Sequence, residues 1–399
     1  MWGHLQDWTA LLLRWTHLVA GISWIGSSFY FMWLDSSLEP ETRPENKKTV
    51  EGSLWMVHSG GFYQVEKRKI GPGSMPATLH WFKWEAFFTW LSGISLLAVV
   101  YYLTGGAYLL DSNVSNISES AACALGVGLL IVSWIAYDLL WKSPIGRNHS
   151  GFSSALCFAA LIGITYGLCH TLSGRAAFIH VGAMLGSIMV LNVWMRILPA
   201  QQKMIDATKE GRTPDYSLGM AAKRRSIHNT YMTFPVLFIM LSNHYSMTYA
   251  GKYNWITLLL LIFAGASVRH AMVSKVKSGR WALVPAAAAL VAVIALTAPH
   301  SASETVSDAG PVVTFTQARA VIAARCLECH SPNPTDDVFK TAPNGVMFDT
   351  PEKIKSMVTR IRFRAVETKT MPLLNKTGIT DEERGILRAW IDQGAKIAE

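Results

Sequence analysis

Two cysteines two residues apart, followed at once by histidine, stand in Arg325-Cys326-Leu327-Glu328-Cys329-His330. This is the attachment pattern of c-type haem. Each thiol adds across one haem vinyl group, and the adjacent imidazole then reaches the iron as an axial ligand. A CxxC pair also serves zinc or dithiol chemistry. Zinc asks for two further ligands, and no second Cys/His pair follows. A redox dithiol belongs in a βαβ setting, which the flanking sequence lacks. The expectation is one covalent haem c, attached through Cys326 and Cys329, with His330 on its iron. Met371, beside Pro372, is expected as the second axial ligand, because methionine partners histidine in cytochromes c and raises the potential. Met347 and Met357 compete, but Met357 sits in a helical run and reads more simply as core.

What positions this motif is a chain of 399 residues, half of them hydrophobic and only 16% charged, with 15 Trp. The mean hydropathy is +0.24. Such a composition points to several membrane spans. Eight apolar segments reach the length of about 20 residues that a bilayer requires. They lie near 8–34, 82–104, 119–141, 152–171, 176–198, 228–249, 253–271 and 281–298. The first residues, Met1 to Trp8, carry no basic cluster, so the first apolar run reads as a span and not as a cleaved leader. Cys123, Cys157 and Cys169 fall in apolar runs and read as inert thiols.

The net charge of +9 is a topology signal and not a nucleic-acid footprint, because it sits in alternate loops. The first loop, 35–81, carries Arg43, Lys48, Lys67, Arg68 and Lys69, whereas 105–118 has no Lys or Arg. The third and fifth loops are basic again, and the fourth has only Arg175. Cytoplasmic loops are the basic ones. Both termini are then expected on the periplasmic side of a bacterial inner membrane, where haem is attached to CxxCH. In the first loop, residues 54–65 alternate around Ser59-Gly60-Gly61, which predicts a β-hairpin.

The domain expectation is therefore a mainly α protein: an eight-span membrane domain over 1–298, a polar linker at 299–311, and a small all-α cytochrome c domain over 312–399. Thr314 to Ala324 reads as an amphipathic helix leading into the motif. Thr380 with Glu383 is a capping box, opening a helix through Arg384, Leu387 and Trp390 to a stop at Gly394.

Ionisable residues inside spans are functional candidates. His17, His170, His180 and His244 fall toward the periplasmic side on four different spans. Neutral imidazoles from separate helices are what hold haem b, and hydrogen-bonded packing residues are the plainer reading of each. A mixed set falls toward the cytoplasmic side. Arg196 and Arg269 could receive an anion. Asn192, Asn229 and His228 could hydrogen-bond a planar polar ligand. Glu85 or Asp138 could accept a proton. For the carboxylates the alternative is a buried ion pair. For Arg269 it is snorkelling to the interface.

Several stretches carry a resemblance. They are Trp15-Thr16-His17-Leu18-Val19-Ala20-Gly21, Leu79-His80-Trp81-Phe82-Lys83-Trp84-Glu85, His180-Val181-Gly182-Ala183-Met184 with Asn192-Val193-Trp194, and His228-Asn229-Thr230-Tyr231 with Ser242-Asn243-His244-Tyr245. With the CxxCH domain behind them, they resemble the membrane-bound, cytochrome-c-linked urate oxidase (urate hydroxylase) family over nearly the whole chain. The resemblance implies oxidation of urate to 5-hydroxyisourate. Electrons would pass to haem c and on to a respiratory acceptor such as a terminal oxidase. A transporter or membrane redox sensor with a tethered cytochrome c, and a quinol-linked electron-transfer subunit, are the competing classes. In this reading the CxxCH motif is the exit for electrons, and the chemistry lies upstream among the spans.

Overall fold

In the computed structural model the chain is described over residues 2–46, 48–71, 75–273, 277–298 and 312–397. The expected linker at 299–311 lies outside the described residues.

The chain is mainly helical. It opens with α1 (Trp2–Ser37), then a small antiparallel sheet of β1 (Glu39–Pro40), β2 (Val50–His58) and β3 (Gly61–Arg68). Ser59 and Gly60 turn β2 into β3 with φ of 49° and 77°, the left-handed geometry that a two-residue hairpin loop requires. Register pairs Val57 with Phe62 and Trp55 with Gln64. Helices α2 (Trp84–Leu97), α3 (Glu119–Lys142), α4 (Pro144–Asn148), α5 (Ser150–Cys169), α6 (Gly174–Asn192), α7 (Leu198–Lys209), α8 (Tyr216–Ser242), α9 (Asn254–Val273) and α10 (Leu283–Thr297) follow. A wide π-helical turn extends α2 through Ala98–Tyr102, and another, Val193–Ile197, joins α6 to α7.

Local chemistry starts these helices where they start. Ser118, Ser173 and Asp215 are N-caps whose side-chain oxygens accept from Ala121, Ala176 and Ser217 N–H groups, which satisfies donors the helix itself cannot pair. Among the described residues, six helical stretches are long and apolar enough to cross a membrane: Trp84–Tyr102, Glu119–Lys142, Ser150–Cys169, Gly174–Lys209, Asn254–Met272 and Gly279–Thr297. They correspond to six of the eight expected segments. The remaining two belong to α1 and α8, which are 36 and 27 residues long but less apolar. In α1, Arg14 and His17 dilute the apolar run. The expected 228–249 segment is displaced: α8 begins at Tyr216 under the Asp215 cap and stops at Ser242, so Lys223, Arg224 and Arg225 are helical and not in a loop.

The core helix is α6. It touches α2, α3, α5 and α8, and 78% of its apolar window is buried. Ala176, Ala177, Gly182, Ala183 and Gly186 keep its surface low, which lets neighbouring helices approach closely. Around it, α1 packs on α2, α8 on α9 and α9 on α10.

Residues 312–397 build a second core of their own from α11 (Phe315–Arg325), α12 (Pro351–Ser356), α13 (Val358–Ile361) and α14 (Asp381–Asp392). Both long helices open on capping boxes, Thr314 with Gln317 and Thr380 with Glu383. Gly394, at φ 90°, lies two residues beyond α14. Helix α11 meets α14 through Phe315 on Trp390, 5.7 Å between ring centroids, and through Arg325 Nε on Glu383 at 3.0 Å. Trp390 is 1% exposed and donates from Nε1 to the Lys396 carbonyl at 2.9 Å. Trp390→Ala is expected to cost this unit about 3–5 kcal/mol. A thermal scan by circular dichroism should show its unfolding step at a markedly lower temperature, with the helical bundle's step unmoved.

Candidate functional site

Polar side chains gather at both ends of the helical bundle. At one end Asp138, near the end of α3, is an ion-pair hub. Arg196 Nε donates to its Oδ1 at 2.7 Å and Arg225 Nη2 to the same oxygen at 2.9 Å, while Lys142 Nζ lies 3.3 Å from Oδ2. The Asp138 and Arg225 side chains are only 8% and 7% exposed. A buried carboxylate and guanidinium hold together because each supplies the charge the other lost with its water. Asp138 is thus tied up by three cations instead of standing free to take a proton, and Arg196 is committed to it.

The neighbours of this hub form a continuous network. The Arg225 guanidinium lies 4.8 Å from the Tyr137 ring centroid. Asn192 Nδ2 donates to the Tyr137 hydroxyl at 3.1 Å and to Asn229 Oδ1 at 2.9 Å. Asn229 donates onward to the Met189 carbonyl at 2.9 Å. Since Tyr137 oxygen accepts from Asn192, its proton goes to His228 Nδ1, 2.7 Å away. Asn192, Asn229 and His228 therefore meet, as the sequence reading grouped them, but their hydrogen bonds go to one another, to Tyr137 and to the Met189 carbonyl. Glu85 leaves a buried Oε2 unpaired, as Asn192 does with Oδ1 and Arg269 with Nε. Arg269 is 2% exposed and rests over the Phe29 ring at 5.2 Å, apart from the hub.

The four candidate histidines part company. His180 is fully buried. Its Nδ1 donates to the Ala176 carbonyl at 2.8 Å, which leaves Nε2 as an acceptor, and the Tyr102 hydroxyl fills it at 2.9 Å. Gly126 seals this pair: a Cβ there would fall 2.2 Å from the Tyr102 oxygen and 2.6 Å from His180 Nε2. His170 lies with its ring 4.0 Å from Tyr166 and donates from Nδ1 to the Tyr166 carbonyl at 2.7 Å. His244 is exposed just past the end of α8. His17 donates from Nδ1 to the Thr89 carbonyl at 2.8 Å, and its Nε2 has no protein partner among the described residues.

His17, His170 and His244, but not His180, line one cavity of about 2200 Å³. Its lining on α6 runs from Gly174 to Val190, about 24 Å of helix. The cavity penetrates the bundle between α1, α2, α6 and α8 and continues onto the C-terminal unit. There Cys326, Cys329, His330 and Met371 line it. Of the three methionines weighed, only Met371 does so; Met357 packs against the core. Among the described residues, nine basic and three acidic ones line this space.

The chemistry of this donor set fits haem c. His330 Nδ1 donates to the Val346 carbonyl at 2.9 Å, which fixes the tautomer and leaves Nε2 for iron. Burial, the larger cause, lowers its pKa against the pull of that hydrogen bond, so the ring is neutral near pH 7. Met371 is held by its N–H on the Arg364 carbonyl and by Arg384 Nη1 on its own carbonyl, both 2.9 Å. Burial raises the Cys326 thiol to about 12 and, with Asp336 beside it, the Cys329 thiol to about 11. Dithiol catalysts work by the opposite shift. Among the described residues, no group of three or more His, Cys, Asp or Glu side chains comes together to hold a bare metal ion.

Sequence reading passed over Arg225, which had been counted with a loop, as well as Tyr102 and Tyr137. The helical spacing of Arg225 to His228 and Asn229 was the available signal. It also counted Arg175 only as a loop charge. Arg175, at the start of α6, donates from Nε to Asn243 Oδ1 at 3.0 Å, and the Tyr101 hydroxyl donates to the same oxygen at 3.1 Å. Its guanidinium lies 4.4 Å from the Tyr108 ring centroid. All four of these residues line the cavity.

Among known families, the model described as urate oxidase N-terminal matches residues 3–298. No curated protein and no solved structure matches. The match spans well over half of the chain, and the chain belongs to that family.

The ion-pair hub generates a contrast. Asp138→Asn strands the buried Arg225 charge and is expected to cost about 3–5 kcal/mol. Lys142→Gln removes an exposed partner and should cost less than about 1 kcal/mol. Thermal midpoints of the two purified variants, compared in one detergent, check the ordering.

Proposed function

We propose that this member of the urate oxidase N-terminal family is a membrane oxidoreductase. It converts urate to 5-hydroxyisourate and hands the electrons to a haem c carried by its C-terminal unit. The overall change takes urate and water to 5-hydroxyisourate, two electrons and two protons. In this reading α1 and α8 join the six apolar stretches to make eight spans in a bacterial inner membrane. The alternating basicity of the loops supports a periplasmic location for both termini and for residues 312–397. A respiratory acceptor downstream then removes the electrons.

The observation that carries the reading is the single cavity shared by the CxxCH cleft and the helical bundle. A substrate bound there meets its electron acceptor without the electrons having to cross the bilayer. In the cleft, Cys326 and Cys329 would hold the haem vinyl carbons, and His330 Nε2 and Met371 Sδ the iron. Bound there, haem c supplies one-electron acceptance at a raised potential. The chain's own residues supply the rest. The excess of basic side chains favours an anion such as urate. His17, pinned through Nδ1, offers a Nε2 lone pair to the cavity, able to accept a proton from water or from a ring nitrogen. Apolar walls along α1, α2 and α6 limit the water that reaches the reacting ring.

A haem b in the bundle would find its ligand at His17 sooner than at His180. His180 has its Nε2 occupied by Tyr102, while His17 lines a space of ample size. His244, also in the lining, is the other candidate. Because haem c and the bundle share one cavity, turnover does not depend on such a relay.

Anaerobic mixing of the haem-loaded protein with urate should produce the absorption bands of reduced haem c. An unchanged oxidised spectrum would overturn the proposal and favour a transporter or sensor. His330→Ala should abolish that reduction. A pyridine haemochrome assay counts the haems: haem c alone would remove any haem b from His17 and His244.

A further inference from the structure

We infer that Arg175, braced by Asn243 and set against Tyr101 and Tyr108, is the seat of the substrate anion. This rests on the urate reading above and names the residues that would recognise it. The class of ligand is a planar, oxygen-rich heterocyclic anion.

The first ground is uncompensated charge. At the Asp138 end, Arg196, Arg225 and Lys142 share one carboxylate. Arg175 has none: among the described residues no carboxylate lies within ion-pair distance of it. It is placed in the first turn of α6, where the helix already presents a positive end and a cation is unfavourable. A cation held there, and half-buried, is stabilised by an incoming anion more than by anything else in the chain.

The second ground is shape. Asn243 and Tyr108 fix the guanidinium plane, one through Nε at 3.0 Å and the other from its face. The Nε is spent on Asn243, and the Tyr101 and Tyr108 hydroxyls lie beside the guanidinium; the Nη groups are what an incoming ligand with adjacent oxygen or nitrogen acceptors would engage. Asn243 Oδ1 accepts from both Arg175 and Tyr101, which turns the Asn243 amide N–H donors elsewhere. They have no protein partner among the described residues, and Asn243 is one of the residues that line the cavity. A flat anion thus meets a forked cation, two amide donors and the edges of two phenol rings.

The third ground is location. Tyr108 meets Phe339 of the C-terminal unit at 6.0 Å between ring centroids. Arg175 therefore stands at the seam between the two units, on the side of the CxxCH cleft. Arg196, the earlier candidate, is 21 residues further along the same helical stretch, about 30 Å away, and its charge is consumed by Asp138.

The test is equilibrium dialysis of radiolabelled urate against dithionite-reduced protein, which binds without turning over. Wild type should bind. Arg175→Gln should raise Kd by about tenfold to hundredfold, and Arg175→Lys should recover part of that loss. Haem c content and reduced spectrum serve as the folding control. A wild-type Kd in Arg175→Gln overturns the inference, also if that variant has lost haem c and Arg175 instead serves a haem carboxylate. The urate reading itself falls separately, if wild type neither binds urate nor is reduced by it. A second measurement avoids variants altogether. In sealed vesicles with the C-terminal unit facing the bath, added urate should reduce haem c directly. Vesicles of the opposite orientation should respond only after permeabilisation, and an immediate response from them overturns the placement.

Discussion

Charge inside an apolar bundle must be answered by charge, and this one constraint organises the helical unit. Asp138 satisfies it three times over, drawing Arg196, Arg225 and Lys142 onto one carboxylate. The hub ties α3, the π turn after α6 and the start of α8 together at one end of the bundle. Without it, Arg225 would be a stranded buried cation. Arg175, at the opposite end of α6, has no such carboxylate among the described residues. The two arginines of one helical stretch thus have opposite roles: Arg196 closes a structural circuit, and Arg175 keeps one open.

Irregular backbone recurs beside these groups. The π turn Ala98–Tyr102 carries Tyr101 and Tyr102, one bracing Asn243 and the other capping His180. The turn Val193–Ile197 carries Arg196. A third, Arg362–Glu367, contains the Arg364 carbonyl that holds the Met371 backbone. Inserting one residue into a helical turn rotates everything after it, which re-aims side chains that a regular helix would point elsewhere. π-helical turns gather at functional positions for this reason.

Much of this was legible in the chain. The Thr380–Glu383 box and the Ser59–Gly60 turn are local patterns whose physics acts over a few residues, and each has a direct structural counterpart. Six apolar segments were readable because their length and composition alone mark them. What escaped was long-range pairing. Nothing near Asp138 in sequence announces Arg196 or Arg225, and positive charge near a span end reads equally well as a loop marker. The pairing of His180 Nε2 with the Tyr102 hydroxyl likewise joins residues 78 positions apart. Arg175 reads as a plain loop charge in the sequence, and its lack of a carboxylate partner among the described residues is visible only in three dimensions.

The surplus of positive side chains around the cavity also acts beyond contact range. Nine basic residues against three acidic ones project a field through the seam into the surrounding water. Such fields raise the encounter rate of oppositely charged small molecules by about 10- to 1000-fold. They fade over about 8–10 Å at physiological salt. The opening of this cavity is therefore an electrostatic funnel, and kcat/KM for an anionic substrate should fall as ionic strength rises, while kcat, set after capture, stays level.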